Sequence, residues 1–389
     1  MRRRGARLTR RTVATRDLPV HFFTIVLNGE PFVRRHLSVF RALPFRWHWH
    51  VVEGVASLVN DTAWSVATGG RVDGSMHRDG LSIDGTSEYL DDVARDEPER
   101  VTIYRPSPGR FWHGKKAMVS APLERITEEC LLWQVDSDEI WTPDQISAVR
   151  ELFSADPSRT AAFFWCRYWV GPDVVITTRY NYAQNPSIEW LRVWRFRPGY
   201  RWAAHEPPTL VRRSPFGMVD VGRENPFLHD ETEAVGAAFD HFAYATEWQV
   251  RQKELYYGYD GALDGWRRLQ AAAREAGPLR LGDYFGWVRD ETLVDLAPGL
   301  VLARRANNRA TAGASRSAAP REPTILIDGV FFEHFTDSGI ARVWRSYLRE
   351  WSTSGFSRRL LVLDRAGAGP RIPRVPTRSI PSWRKDLSG

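Results

Sequence analysis

Cys130-Leu131-Leu132-Trp133-Gln134-Val135-Asp136-Ser137-Asp138-Glu139 is the stretch from which the fold can be read. Its first six residues form a short, nearly continuous apolar run, which predicts a strand buried on both faces, as in parallel sheets. Two carboxylates follow at once. Period-two geometry points Asp136 and Asp138 to one side of the strand end, and the carboxyl edge of a parallel sheet is where open α/β folds bind ligands. Two like charges held there repel unless a cation intervenes. A hard divalent ion, Mg²⁺ or Mn²⁺, shared between carboxylate and diphosphate oxygens, meets that need. The competing reading is a solvated turn that caps a helix beginning at Thr142-Pro143-Asp144-Gln145.

Upstream, the β-rich run Val20 to Leu27 ends at Asn28-Gly29-Glu30-Pro31, and a helical pattern continues through Phe40. Trp47 to Val52 alternates and ends in Glu53-Gly54, so a second strand follows at the spacing of a parallel βαβ unit. Helices are expected over Ser87 to Ala94 and Lys116 to Ile126, with a short strand over Val101 to Arg105. This alternation predicts an α/β layer architecture. Downstream, Ala161 to Trp202 reads as tryptophan- and arginine-rich strands added in antiparallel fashion, and Glu247 to Ala276 as one long helix.

The strand ending in Asn28-Gly29-Glu30, the strand ending in Glu53, the basic helix start at Lys115-Lys116 and the strand followed by Asp136-Ser137-Asp138 resemble, in order and spacing, the nucleotide-sugar half of family-2-type glycosyltransferases of the GT-A fold. The segments His77-Arg78-Asp79-Gly80-Leu81-Ser82-Ile83-Asp84-Gly85-Thr86 and Phe111-Trp112-His113-Gly114-Lys115 are similar to a loosely defined bacterial subgroup. The resemblance covers about residues 18 to 280. It implies a GT-A, Rossmann-like mixed sheet and hexosyl transfer from a nucleoside diphosphate sugar to a glycan or surface-polysaccharide precursor. It also implies Mn²⁺ or Mg²⁺ on the diphosphate as Lewis acid. On that resemblance Asp138 binds the metal and Asp136 lies nearer the donor ribose or a metal-bound water. Asn28, Glu30, Glu53, Asp84, Lys115 and Lys116 are expected around the nucleotide and diphosphate. Glu53-Gly54 departs from the family's more usual acidic pair followed by Gly-Ser.

An inverting displacement needs a carboxylate base near the acceptor hydroxyl. Glu206, in His205-Glu206-Pro207-Pro208, is the first candidate and Glu189 the second. His241, in Phe239-Asp240-His241-Phe242, stands where many GT-A enzymes give the metal a histidine, though a histidine among aromatics is equally core material. Trp165, Trp169, Trp190, Trp194 and Trp202 cluster in the same half, as stacking faces for sugar rings or as core. His48 and His50 share one strand face without further zinc ligands nearby and read as packing.

The net charge of +7 is concentrated at one end. Residues 1 to 16 hold seven arginines and no acid; removing them from the 54 basic residues leaves 47 against 47 acids. The remainder is neutral, which argues against nucleic acid as a partner. The arm, residues 1 to 17, is expected to be disordered, with peripheral contact to an anionic membrane face as its one evident use. The richest apolar run, Ala161 to Val170, is far below a membrane span and contains Arg167. Two cysteines, Cys130 and Cys166, both inside apolar runs, fit a reducing, cytoplasmic setting.

Residues 18 to 303 are thus expected to form the GT-A domain, and 304 to 322, rich in Ala, Arg, Ser, Asn and Gly, a linker. Residues 323 to 389 read as one βαβ. Thr336-Asp337-Ser338-Gly339 after its first strand resembles the opening of a GT-B glycosyltransferase, which would make this a truncated, partial Rossmann-like segment. Two other functions compete: a metal-dependent nucleotide-sugar hydrolase, and a non-catalytic carbohydrate- or membrane-surface-binding protein.

Overall fold

The computed structural model describes residues 18–187, 189–275, 277–297, 325–329, 332–333, 339–352, 360–365 and 367–380. The arginine-rich arm, the linker and the turn at 336–338 lie outside them. The chain divides into two compact units, one up to Arg304 and one from Arg305.

The first unit is built on β1 (Val20–Val26), α1 (Arg34–Arg41), β2 (Trp47–Glu53), α2 (Ala63–Ala67), α3 (Thr86–Asp96), β3 (Val101–Tyr104), α4 (Lys115–Ser120) and β4 (Cys130–Gln134). The four strands are parallel, in the order β3-β2-β1-β4. Leu191–Phe196 joins β4 antiparallel, and Ala161–Phe163 and Pro226–Phe227 complete a seven-stranded mixed sheet. Alternate residues serve opposite faces. Phe22, Trp49 and Trp133 pack into one core with Phe40 and Leu90, whereas Phe23 and Leu132 pack into the other with Trp194, Trp202 and Leu210. Both faces are covered, which is why these strands read as unbroken apolar runs.

Three expectations need correction. The helix expected over Lys116 to Ile126 stops at Ser120 and continues as a 3-10 turn, Ala121–Glu124; Pro122 has no N–H for an α-helical ladder. The long helix expected over Glu247 to Ala276 is two, Glu247–Tyr257 and Ala262–Ala272. Gly258 separates them with φ +69°, and a Cβ there would lie 2.2 Å from the Thr68 carbonyl oxygen, so both conformation and space require glycine. The strands between Ala161 and Trp202 are shared among several sheets. Cys166–Tyr168 pairs parallel with Phe239–His241, which pairs antiparallel with Glu139–Ile140. That small sheet places His241 beside the end of β4.

The second unit has three parallel strands, Ile325–Asp328, Leu360–Arg365 and Thr377–Ile380. The helix Gly339–Ser352 lies between the first two in sequence, and Ile327, Leu348, Leu360 and Val362 are buried together. The third strand extends the expected βαβ.

Candidate functional site

The end of β4 is pinned before the acids begin. Val135 donates its N–H to the Phe23 carbonyl (3.0 Å), and its own carbonyl accepts from the Thr24 hydroxyl (2.7 Å). The turn closes through Glu139 N–H to the Asp136 carbonyl, and the Asp138 carbonyl accepts from Phe242 N–H (2.8 Å). The helix that follows, Pro143–Ala155, is capped reciprocally by Thr142 and Gln145, so neither acid serves as its cap.

Asp136 accepts from the Gln134 amide (2.9 Å) and from Arg192 (3.1 Å). The same guanidinium donates through Nε to the fully buried Glu139 (2.8 Å). Asp138 turns to other partners. One oxygen lies 3.5 Å from His241 Nε2; the other lies 3.4 Å from the Gln249 amide and 4.0 Å from Lys253 Nζ. Both acids line a cavity of about 320 Å³ at the carboxyl edge of the sheet, with Asn28 and Gly54 on one side and Lys115, His205, Glu206, Trp248, Gln252 and Tyr257 on the other. Lys115 Nζ bonds Glu206 and the Tyr257 hydroxyl (3.1 Å).

The charge states follow from burial. Burial would raise Asp136, but Arg192 and Gln134 hold its carboxyl down at about 2. Burial lifts Glu139 to about 8 against the pull of Arg192, with Asp136 adding to the rise. His241 and His205 are both pushed by burial to about 4, so both rings are neutral at physiological pH and can offer a lone pair. Burial lowers Lys253; Tyr257 and Glu206 overcome burial to hold Lys115 well above its ordinary value. Five buried polar atoms here, His205 Nδ1, His241 Nδ1, Trp248 Nε1, Gln252 Nε2 and the Tyr256 hydroxyl, have no hydrogen-bond partner among the described residues. Each such atom costs about 1–3 kcal/mol, a cost a polar ligand would relieve.

The expected site residues divide into two groups. Asn28, Lys115, Asp136, Asp138, Glu206 and His241 meet at the cavity. Glu30, Glu53, Asp84 and Lys116 are not among its walls, and each is engaged elsewhere in the chain. Glu53 is fully buried and accepts from Ser82 N–H (3.2 Å), the Ser87 hydroxyl and Arg105 (2.7 Å). Asp84 accepts from the N–H groups of Glu30 (2.9 Å) and Thr86 (3.0 Å), and the Glu30 carboxylate pairs with Arg34. Lys116 donates only its backbone N–H, to Asp61 (2.6 Å), and its side chain is exposed. Glu189 also lies outside the cavity, accepting from Asn185 N–H (3.2 Å). Trp165, Trp169, Trp194 and Trp202 are core, and Trp190 packs against it. His48 and His50 hydrogen-bond Thr102 and Tyr104 (2.9 Å each).

Sequence reasoning missed the wall supplied by Glu247–Tyr257: Trp248, Gln249, Gln252, Lys253, Tyr256 and Tyr257. A signal was present. Four lysines stand among 54 basic residues, and two of those four, Lys115 and Lys253, line this cavity. A compact ammonium in an arginine-rich chain marks a place where a point charge is wanted.

A divalent cation can be tested against this donor set. No group of three or more His, Cys, Asp or Glu side chains that could hold a metal occurs among the described residues. Asp138 and neutral His241 offer two ligands 3.5 Å apart, which suits an ion that takes its remaining ligands from phosphate oxygens and water. The residues fit a cation that arrives with its substrate.

No protein-family model and no curated protein matches the chain. Two crystal structures of S. aureus TarS are similar to it. One, TarS 1-349, aligns at 10% identity and a TM-score of 0.30 over 46% of this chain and 47% of that one. The other aligns at 11% identity and the same TM-score over 46% of this chain and 28% of that one. The chain thus spans less than half the length of either. At this distance only the chain's own residues speak to its chemistry.

Proposed function

We propose that this chain is a glycosyltransferase that moves a sugar from a nucleoside diphosphate donor to a hydroxyl of a glycan or surface-polysaccharide precursor. The observation that carries the reading is the cavity at the carboxyl edge of the parallel strands, lined together by Asp138, neutral His241, Lys115 and Lys253. A diphosphate needs cationic partners, and a sugar-bearing one needs a nearby base.

Asp138 and His241 would hold Mn²⁺ or Mg²⁺ against the diphosphate, where the ion serves as Lewis acid for the departing nucleoside diphosphate. Lys115 and Lys253 neutralise the same leaving group as point charges. Asp136 is held by Arg192 and Gln134, and so fixes the floor of the site. In the inverting form of the reaction, the acceptor oxygen bonds to the sugar's anomeric carbon as the bond from that carbon to the diphosphate breaks. The hydroxyl proton passes to Glu206. Diphosphate oxygens compete with Glu206 for Lys115, so donor binding frees the carboxylate that the acceptor requires.

Lys253 beside Asp138 favours a second reading, in which ammonium groups alone balance the diphosphate and transfer needs no metal. The second unit, with its parallel βαβ and third strand, is proposed as the start of a GT-B-like domain.

Thermal-shift and calorimetric titration with nucleoside diphosphates and their sugars, with Mn²⁺, with Mg²⁺ and with chelator, tests both readings. Metal-dependent stabilisation that vanishes in Asp138→Ala is the expected result. Binding that persists in chelator but is lost in Lys253→Ala selects the metal-free reading. The absence of donor binding under every condition overturns transfer, and donor loss without acceptor identifies a hydrolase.

A further inference from the structure

On the first unit, Thr209–Ser214 and Gly217–Asp220 form a hairpin of a three-stranded antiparallel sheet with Arg201–Ala204, its tip at the strand end opposite the His205–Glu206 turn that lines the cavity. Its tip carries Phe216, which is fully exposed at 101%, and Met218 beside it is 44% exposed. Arg213 pairs across the ladder with Met218, and Arg201 with Val211, so Arg201, Arg213 and Met218 share one face. Next to the hairpin lies an open groove of about 780 Å³, lined by Arg159, Arg195, Arg197, Arg212 and Arg213 with Glu224 as its one acid. Arg212 is paired with Glu224, Arg159 with Asp156 and Glu231, and Arg195 and Arg197 share Glu129. Arg201 and Arg213 have no ion pair among the described residues.

We propose that this hairpin and its arginine-lined flank form a docking surface for an anionic lipid bilayer. The apolar area is a narrow projecting tip, too small to bury a protein interface, but shaped to enter the boundary between headgroups and acyl chains. Arg201 and Arg213, exposed and without an ion pair among the described residues, stand behind the tip, where the guanidinium fork suits lipid phosphate at headgroup level. One weak membrane signal gives only marginal, reversible binding and a second makes it stable; the seven arginines of residues 1 to 16 supply an electrostatic one. Docking leaves the cavity clear. In β4 (Cys130–Gln134) Leu131 pairs with Arg195 of the groove, Asp136 follows just beyond the strand's other end, and the groove and cavity share no lining residue. The surface does not depend on the chemistry assigned to the cavity.

Cosedimentation of the full chain with phosphatidylcholine vesicles, with and without phosphatidylglycerol, tests the proposal. Binding should require phosphatidylglycerol and weaken with salt. Phe216→Ser combined with Met218→Ser should weaken it about tenfold, as expected for removing one inserted aromatic, without changing the unfolding midpoint. Cys130 and Cys166 are buried, so a polarity-sensitive dye on Pro215→Cys reports the tip alone and should shift to the blue on anionic vesicles. Undiminished binding in the double variant would show that the arm alone makes the contact, and would overturn the proposal. So would an unshifted dye, or self-association of the wild type that the double variant abolishes.

Discussion

Two acid-bearing strand ends of one sheet, Glu53 closing β2 and Asp136–Asp138 after β4, look alike in sequence and end in opposite chemistry. The Glu53 carboxylate is satisfied within the chain by Ser82, Ser87 and Arg105, and holds the 82–87 loop onto the sheet edge. At the other end Asp138 has only His241, Gln249 and Lys253 near it at 3.4 to 4.0 Å, with unpartnered polar atoms around the same cavity. A saturated acid is scaffold. An acid whose neighbours are cations and orphaned donors is a place where a ligand can finish the hydrogen bonding.

The sharpest way to break this contrast is through the base beside the unsatisfied end. Glu206→Gln should lower kcat by about a thousandfold, in the range for removing a general base, with donor affinity kept or raised because the carboxylate no longer competes for Lys115. A collapse of donor affinity with kcat preserved would instead make Glu206 a ligand for the donor. Glu53→Ala should show the reverse pattern. It strips a buried carboxylate from a partly exposed Arg105 and from two donors, so urea unfolding should report a loss of about 3 kcal/mol. A stable Glu53→Ala chain that no longer binds donor would return Glu53 to the nucleotide site.

The parallel half was legible because strands buried on both faces leave unbroken apolar runs, and β4 ends where Val135 meets Asp136. Asn28, Lys115, Asp136, Asp138, Glu206 and His241 could therefore be named in advance as candidates. The helical wall could not. Gln249, Gln252 and Lys253 look like any solvated helix face, and only the break at Gly258 and the packing against Thr68 turn them toward the cavity. Of the two readings open for the tryptophans, core is the one the packing favours, and the arginines of Leu191–Phe196 are buried with them, Arg192 against Glu139 and Asp136 and Arg195 against Glu129.

A third region, satisfied like Glu53, sharpens the comparison by pH. His21, His48 and His50 stack on β1 and β2, with His21 and His50 hydrogen-bonded at 2.9 Å. Burial, reinforced by His48, pushes His21 down to about 4, opposed by Glu128; burial also lowers His48 and His50, to which the nearby Arg125 contributes. The unfolded chain binds these protons near pH 6.5 and the folded chain only at lower pH, His21 near 4, so folding stability falls as pH drops below 6.5. His21 alone accounts for about 3 kcal/mol at most. Chemical unfolding at pH 7, 5.5 and 4.5 should show the loss, and His21→Gln should flatten it.

The smallest effect is expected at the residue that most resembles a base by acidity. Burial raises the Glu189 carboxyl to about 7, near the value favoured for proton abstraction at neutral pH. Position decides against it. Its carboxylate accepts from Asn185 N–H and lies outside the cavity that holds Asp138 and Lys115. Glu189→Gln keeps that acceptor and should change kcat by about twofold or less, the scale of a substitution away from buried networks. The profile of kcat against pH is the more discriminating readout, because a base at Glu189 would give an acid limb near pH 7 that the glutamine variant abolishes. If the profile is unchanged in Glu189→Gln while Glu206→Gln abolishes turnover, acidity without placement has been separated from placement itself.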